Sequence, residues 1–301
     1  MFTILTTAKD FDSNFKLIQI NAINSWRSLS DDIEIIIFGL SRGVDEYAKI
    51  INATYIPEIK CTDSGIPLIS DIILQGTKRA KFDILLLVNA DIILPNKFID
   101  IIQILKNRKK KFLAIGHRWD MDVDEYINFS DLIESKKFWS KANEISKQHA
   151  CTGIDYFIFK KGTLKSLPDF AIGRFGWDNW ILWSVRRRLI PLIDLSAEIK
   201  VIHQNHIYKK HFKTDIERNN KLGEQKGLNI LDANYLFKNG KITKNISKSF
   251  INSIVTSNPV PEEIEPFNIP IRKIKIKNLI LLTKFSSLFP DDNPKSGLRN
   301  E

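Results

Sequence analysis

Three short stretches of this 301-residue chain hold residue types that can do chemistry. The first is Asn89-Ala90-Asp91, directly behind the apolar run Asp-Ile-Leu-Leu-Leu-Val at 83–88. A carboxylate where a buried strand runs out can bind Mg²⁺ or Mn²⁺, and the ion can in turn bind the two phosphates of a nucleoside diphosphate. Hard cations prefer oxygen ligands, and Mg²⁺ shares its shell with phosphates and water. Asn89 can add an amide oxygen or contact a ribose; an Asp at a strand end also serves as a plain turn or cap. The second stretch is Gly173-Arg174-Phe175-Gly176-Trp177-Asp178-Asn179-Trp180. Its glycines let backbone approach a ligand. Asp178 opens a helix, where it fits an N-cap or a general base taking the proton of an attacking hydroxyl. Trp177, Trp180 and Trp183 offer indole faces for a sugar, although a spacing of three also suits one buried helix face, the reading favoured for Trp183. The third stretch is His203-Gln204-Asn205-His206-Ile207-Tyr208. A neutral imidazole there can complete a metal site or contact phosphate; the plain alternative is a surface loop with one structural His. HxxH without a partner such as HExxH is no zinc signature.

Something must carry these residues to one place. Apolar, β-branched runs at 2–7, 33–38, 53–56, 83–88, 112–116, 154–159 and 198–202 read as strands. Helical spacing of apolar residues marks 12–26, 44–51, 67–80, 97–105 and 178–188, and the polar stretch 129–148 reads as a helical insertion. Strands alternating with helices indicate a mostly parallel, doubly wound sheet, and ligands of such sheets bind outside the carboxyl ends of the strands. That rule selects Thr6 and Thr7 (near a base or ribose), the turn Gly39 to Arg42, Asn89 to Asp91, and His117-Arg118-Trp119-Asp120. Arg118 and Asp120 are candidates for sugar hydroxyls, and Asp155 is another. Cys61-Thr62-Asp63-Ser64-Gly65 is either a loop over a nucleotide or an ordinary polar turn. Lys78 and Arg79 can meet phosphate or simply be solvated.

Taken in order, these pieces resemble the GT-A fold of nucleotide-sugar-dependent glycosyltransferases. The resemblance covers roughly the first two thirds of the chain. It implies an α/β, Rossmann-like, mostly parallel sheet flanked by helices. It places Asn89-Ala90-Asp91 where that fold has the metal-holding DxD motif, with only the last carboxylate kept. The glycine-bearing loop corresponds to Gly173 to Gly176, and the helix-start acid, the base of many inverting members, to Asp178. The metal-ligating His near the domain's end corresponds to His203, with His206 as the alternative. The implied set is Asp178 as base; Thr6, Thr7, Gly39, Asn89, Asp91 and Gly176 around the nucleotide; Arg118, Asp120, Asp155, Trp177 and Asn179 for substrate; and Asp91 with His203 for Mn²⁺ or Mg²⁺. The implied partners are a nucleotide-sugar donor and a hydroxyl-bearing glycan, lipid-linked or polysaccharide acceptor.

Bulk properties agree with a folded chain that meets anions. It is 43% hydrophobic, 27% charged and carries a formal net charge of +10, which favours nucleotides, phosphorylated lipids, nucleic acid or an acidic membrane face without choosing among them. Two distant cysteines, Cys61 and Cys151, make no disulfide framework and suggest a reducing compartment. A cytoplasmic protein is expected, with no signal peptide and with peripheral membrane contact as an option. Runs of Lys and Arg at 106–111 and 186–188 read as solvated helix ends, the latter suiting the helix dipole. Lys209, Lys210, His211 and Lys213 can meet phosphate. Beyond about residue 215 the pattern weakens, so residues 1–215 are taken as the catalytic domain and 216–301 as an extension. Within it, 271–289 mixes basic and apolar residues in a way that suits an anionic membrane surface or packing on the domain. Two rival readings are a nucleotidyltransferase, which would want a glycine-rich loop where Thr7-Ala8-Lys9-Asp10-Phe11 stands, and a basic nucleic-acid- or sugar-binding protein without catalysis, which would interleave aromatics and cations on one face.

Overall fold

The computed structural model describes residues 1–11, 15–206, 213–223 and 228–245. The elements are β1 (Thr3–Thr7), α1 (Lys16–Arg27), β2 (Glu34–Phe38), α2 (Val44–Ile50), β3 (Thr54–Ile56), α3 (Ile69–Arg79), β4 (Ile84–Val88), β5 (Ile92–Ile93), α4 (Phe98–Lys106), β6 (Leu113–Ile115), β7 (Arg118–Met121), α5 (Leu132–Ile145), β8 (Lys147–Gln148), β9 (Tyr156–Lys160), α6 (Trp177–Arg187), β10 (Leu192–Asp194), β11 (Val201–Gln204), α7 (Lys213–Gly223), β12 (Tyr235–Lys238) and β13 (Lys241–Lys244).

The main sheet has the order β13-β12-β10-β6-β9-β4-β1-β2-β3. The flank β4-β1-β2-β3 is parallel throughout, and β6, β10 and β12 are parallel to one another; β9 runs antiparallel between β4 and β6. This is the expected α/β class. The central strands read as continuous apolar runs because both their faces are covered. Ile4, Ile35, Ile37 and Leu86 enter one core with Ala22, Trp26, Ala48 and Ile102 of α1, α2 and α4. Their neighbours Leu5, Ile36, Leu85 and Leu87 enter the other core with Ile72 of α3 and Ile181 of α6. Side chains of successive strand residues point to opposite faces, so one strand feeds both layers.

A second sheet, β5-β11-β7-β8, was not foreseen. Its β11 and β7 are parallel, and the strands at either side are antiparallel. Residues 117–120, read as lying behind a strand at 112–116, instead leave the main sheet, and Arg118–Met121 form β7. Likewise His203 lies inside β11 and not behind it.

The boundary expected near residue 215 meets continuous structure among the described residues. It falls within α7, and β12 and β13 complete the main sheet through pairing with β10. These strands belong to the same sheet because the side of β10 not paired with β6 would otherwise be an open edge. The Arg run at the end of α6 is not merely solvated. Arg186 donates to the Asp232 carbonyl, and Arg188 Nε donates to the Ser184 carbonyl at 3.0 Å. Lys78 and Arg79 close α3, just before β4 begins, at the sheet edge opposite the carboxyl ends of the parallel strands. The expectations for residues 209–211 and 271–289 lie outside the described residues. No helix among the described residues is long and apolar enough to cross a membrane.

Candidate active site

Asp91 lies in the turn that joins β4 to β5. Its backbone is fixed from α1 and β11. Gln204 donates both its backbone N–H and its side-chain amide to the Asp91 carbonyl at 3.2 Å, and the same amide reaches the Ile18 carbonyl at 2.8 Å. Trp26 Nε1 donates to the Ile92 carbonyl at 2.8 Å. Buried polar groups held this way give a side chain one orientation.

The second sheet then sets a row of functional groups side by side. β11 pairs with β5 so that His203 faces Ile92, next to Asp91, and with β7 so that His203 faces Asp120. β7 pairs with β8, and the His149 N–H bonds to the Arg118 carbonyl at 3.0 Å. The side-chain contacts follow that order. His206 Nε2 lies 3.1 Å and His203 Nε2 3.8 Å from Asp91 Oδ2. His203 Nδ1 lies 3.1 Å from Asp120 Oδ1, and His149 Nδ1 lies 2.6 Å from Asp120 Oδ2. Arg118 joins the row to Asp155, with Nε 3.0 Å from Asp120 Oδ1 and a terminal nitrogen donating to Asp155 Oδ2 at 2.7 Å. Asn89 donates its amide to Asp155 Oδ1 at 2.6 Å.

Asp91, His203 and His206 offer ligand atoms that all lie within 4.8 Å of one another. Donors held about 2.1 Å from one octahedral ion are roughly 3 Å apart when adjacent, so 3.1 and 3.8 Å need little adjustment. Asp91 Oδ1 is buried without a hydrogen-bond partner, as are both ring nitrogens of His203. Two imidazoles and a carboxylate suit a divalent first-row metal. The fit therefore takes both histidines, where sequence reading had posed His203 and His206 as alternatives. Burial opposes the Asp91 charge, yet the His206 hydrogen bond and the nearby His203, His206 and Lys9 hold its pKa below the ordinary value. Asp120 is likewise held low against its own burial, by His149, Arg118 and His203. Burial lowers the pKa of His203 and keeps it a neutral ligand.

Asp178 begins α6, with its carboxyl largely buried. Burial, with a contribution from the Asp155 charge, pushes its pKa up to about 6 against backbone hydrogen bonds that lower it. One carboxylate oxygen has no hydrogen-bond partner. The Asp155 charge contributes to raising the pKa of Asp178 and opposes the lowering of that of His203.

Other expected site residues serve the fold. Thr6 is fully buried and donates its hydroxyl to the Val88 carbonyl at 2.8 Å, so it locks β1 to β4 and does not face a base. Thr7 is half-buried and paired with Phe38. Gly39 turns the chain after β2 with φ of 108°. Asn89 donates its amide to Asp155. Gly176, at φ 102°, is approached by the backbone of α7, since an added Cβ would lie 3.4 Å from the Asn219 carbonyl oxygen. Arg174 also turns to α7, 3.9 Å from Asp215. At Gly176 the glycine turn is thus closed on by helix α7. Trp177 packs in the core against Phe157, with ring centres 5.1 Å apart, and Asn179 donates to the Leu228 carbonyl. Gly65 N–H closes a tight turn on the Thr62 carbonyl at 2.9 Å.

Sequence reading missed His149, Gln204 and Lys9. Lys9 sits with its ammonium 3.5 Å from the Phe15 ring centre, and Phe15 meets His206 edge-on at 4.9 Å. Only the position of Lys9 after β1 could have flagged it. His149 carried no signal, because its partners on the neighbouring strand β7 are 29 and more positions back in the sequence.

No family model matches the chain, and no curated protein does. Solved structures do. The TarS 1–349 fragment of S. aureus is 14% identical with a TM-score of 0.43, over 67% of this chain and 60% of that fragment. Glucosyl-3-phosphoglycerate synthase of Mycobacterium tuberculosis, solved with Mg²⁺ and UDP, is 13% identical with a TM-score of 0.43, over 75% of this chain and 76% of that one. The same synthase with Mn²⁺, UDP and phosphoglyceric acid is 14% identical with a TM-score of 0.43, over 75% of each chain. Superpositions this loose assign no residue a role; what this chain can do rests on its own geometry.

Proposed function

We propose that this protein transfers a sugar from a nucleoside-diphosphate sugar to a hydroxyl-bearing acceptor, with Mn²⁺ or Mg²⁺ held by Asp91, His203 and His206. What supports this reading is a two-imidazole, one-carboxylate donor set just beyond the carboxyl end of β4, together with a buried acid of raised pKa at the start of α6. The ion, when bound, supplies Lewis-acid neutralisation of a diphosphate leaving group. Lys9 adds a fixed positive charge beside the same carboxylate. Asp178 is ionised at neutral pH and, with a pKa of about 6, is basic enough to accept the acceptor's hydroxyl proton. Arg118 and Asp155, already paired, present donors and acceptors for sugar hydroxyls between the two. A cytoplasmic setting, a role in glycan or polysaccharide synthesis and peripheral contact at a membrane face complete the proposal, on composition alone.

A thermal-shift screen of nucleoside diphosphates and nucleotide sugars, with and without Mn²⁺, tests it. A ligand that binds only the folded state raises the midpoint by mass action. The expected result is a UDP- or GDP-dependent rise that needs Mn²⁺ and disappears in Asp91→Ala. Salt-dependent binding of RNA or DNA with no response to any nucleoside diphosphate would sink the reading.

A further inference from the structure

We infer that Asp120, itself braced by His149 and Arg118, is a positioning residue that fixes the ring orientation and tautomer of the metal ligand His203. The inference rests on the metal reading above and replaces the sugar contact that sequence alone suggested for Asp120.

An ionised carboxylate only accepts hydrogen bonds. Asp120 faces His203 Nδ1 at 3.1 Å and His149 Nδ1 at 2.6 Å, so each of these nitrogens is the one that carries a proton. Neither His203 Nδ1 nor Asp120 Oδ1 makes an aligned hydrogen bond; Asp120 Oδ1 has Arg118 Nε at 3.0 Å and His203 Nδ1 at 3.1 Å, so a turn of the imidazole toward the carboxylate is the hydrogen bond open to His203 Nδ1. The lone pair of His203 is then on Nε2, the nitrogen 3.8 Å from Asp91 Oδ2. A lone pair and a carboxylate facing each other across that distance repel unless a cation stands between them. Asp120 therefore supplies the outer partner that a ligating histidine ordinarily needs.

The arrangement is set by pairing. In the register of β7 and β11, Asp120 and His203 are direct neighbours, and Asp120 also faces Lys147 of β8. Arg118, two residues along the same face of β7, holds the carboxylate from the side, with Nε 3.0 Å from Oδ1. His149, the first residue past β8, contacts the opposite oxygen. Both carboxylate oxygens are thereby tied, which prevents the group from turning toward the ion itself.

Mn²⁺ titration of the full chain, read by the EPR signal of free Mn²⁺, tests this with five proteins: wild type, Asp120→Asn, Asp120→Glu, His203→Ala and Asp124→Asn. Loss of an outer partner typically weakens metal binding by about 10- to 100-fold, and that rise in Kd is expected for Asp120→Asn. Asp124, exposed on the same segment, should leave Kd unchanged, and Asp120→Glu should recover part of the loss. Nitrogen-15 imidazole spectra of the wild type give a second readout, with the His203 proton expected on Nδ1 and redistributed in Asp120→Asn. That wild-type spectrum decides the matter even if Asp120→Asn does not fold. If wild type binds Mn²⁺ and Asp120→Asn binds it equally well, or if the His203 proton sits on Nε2, the positioning role is overturned while the metal site stands. If wild type binds no better than His203→Ala, the metal reading falls and takes this inference with it.

Discussion

Replacing Asp178 with Asn should make the protein more stable and inactive at the same time. The carboxyl has a pKa of about 6 in the folded chain against an ordinary 3.8. With the folded value raised, the native state holds its proton longer than the unfolded chain, so stability falls as pH climbs from the lower value to the higher and is flat above it. The difference is about 2 units at about 1.4 kcal/mol each, or roughly 3 kcal/mol of native-state penalty at neutral pH. Asn cannot ionise, and its carbonyl can still accept the backbone hydrogen bonds, more weakly, so a net gain of about 2–3 kcal/mol is expected. At this chain size each kcal/mol moves the midpoint by about 2 °C or slightly more, which gives roughly 5 °C. The assay is urea denaturation of both proteins from pH 4 to pH 8. The two stability curves should meet at the acid end and separate through pH 6, while sugar transfer is lost throughout. Curves that stay parallel across that range would show that the Asp178 carboxyl is not held out of water, and the argument for it as a tuned base would collapse.

Other changes reach other parts of the site. His206→Ala should abolish the Mn²⁺-dependent thermal shift with UDP or GDP, and should also lower the metal-free stability by about 1–3 kcal/mol because the buried Asp91 loses a hydrogen bond; an unchanged ligand-induced shift would remove His206 from the ligand set. Asn89→Asp, which would restore an acidic DxD pattern, should destabilise, because it exchanges an amide donor 2.6 Å from Asp155 Oδ1 for a second negative charge. A loss of about 1–3 kcal/mol at neutral pH, shrinking in acid, is expected by denaturant titration. Gly176→Ala should cost about 1–3 kcal/mol, since φ of 102° is strained for any side chain and the α7 backbone is 3.4 Å from the new Cβ; a neutral effect would mean that α7 yields. Activity should rise with pH through about 6 as Asp178 ionises, and a flat profile between pH 5 and pH 7 would count against its role as base.

Local pattern alone made the frame legible. The run of residues 84–88 announces a strand covered on both sides because every one of its side chains is apolar, and the helical spacing of Ile18, Ala22 and Trp26 announces the layer above it. The placing of Asp91 and Asp178 at element ends follows from the same local reading, as does the rule that ligands gather where parallel strands stop. The short strands Ile92–Ile93 and Lys147–Gln148 have too few residues to show any period. The sheet they frame exists only through partners up to about a hundred positions away. The row from Asp91 through His203 and Asp120 to His149 is a product of register, and register is decided when burial and backbone pairing are satisfied together. The same limit governs Trp177, Asn179 and Gly176, whose types suggested a sugar and a nucleotide. Helix α7 and the core claimed them first. A side chain's chemistry is written in its identity, but whether that chemistry is free to act depends on which backbone and side chains close around it.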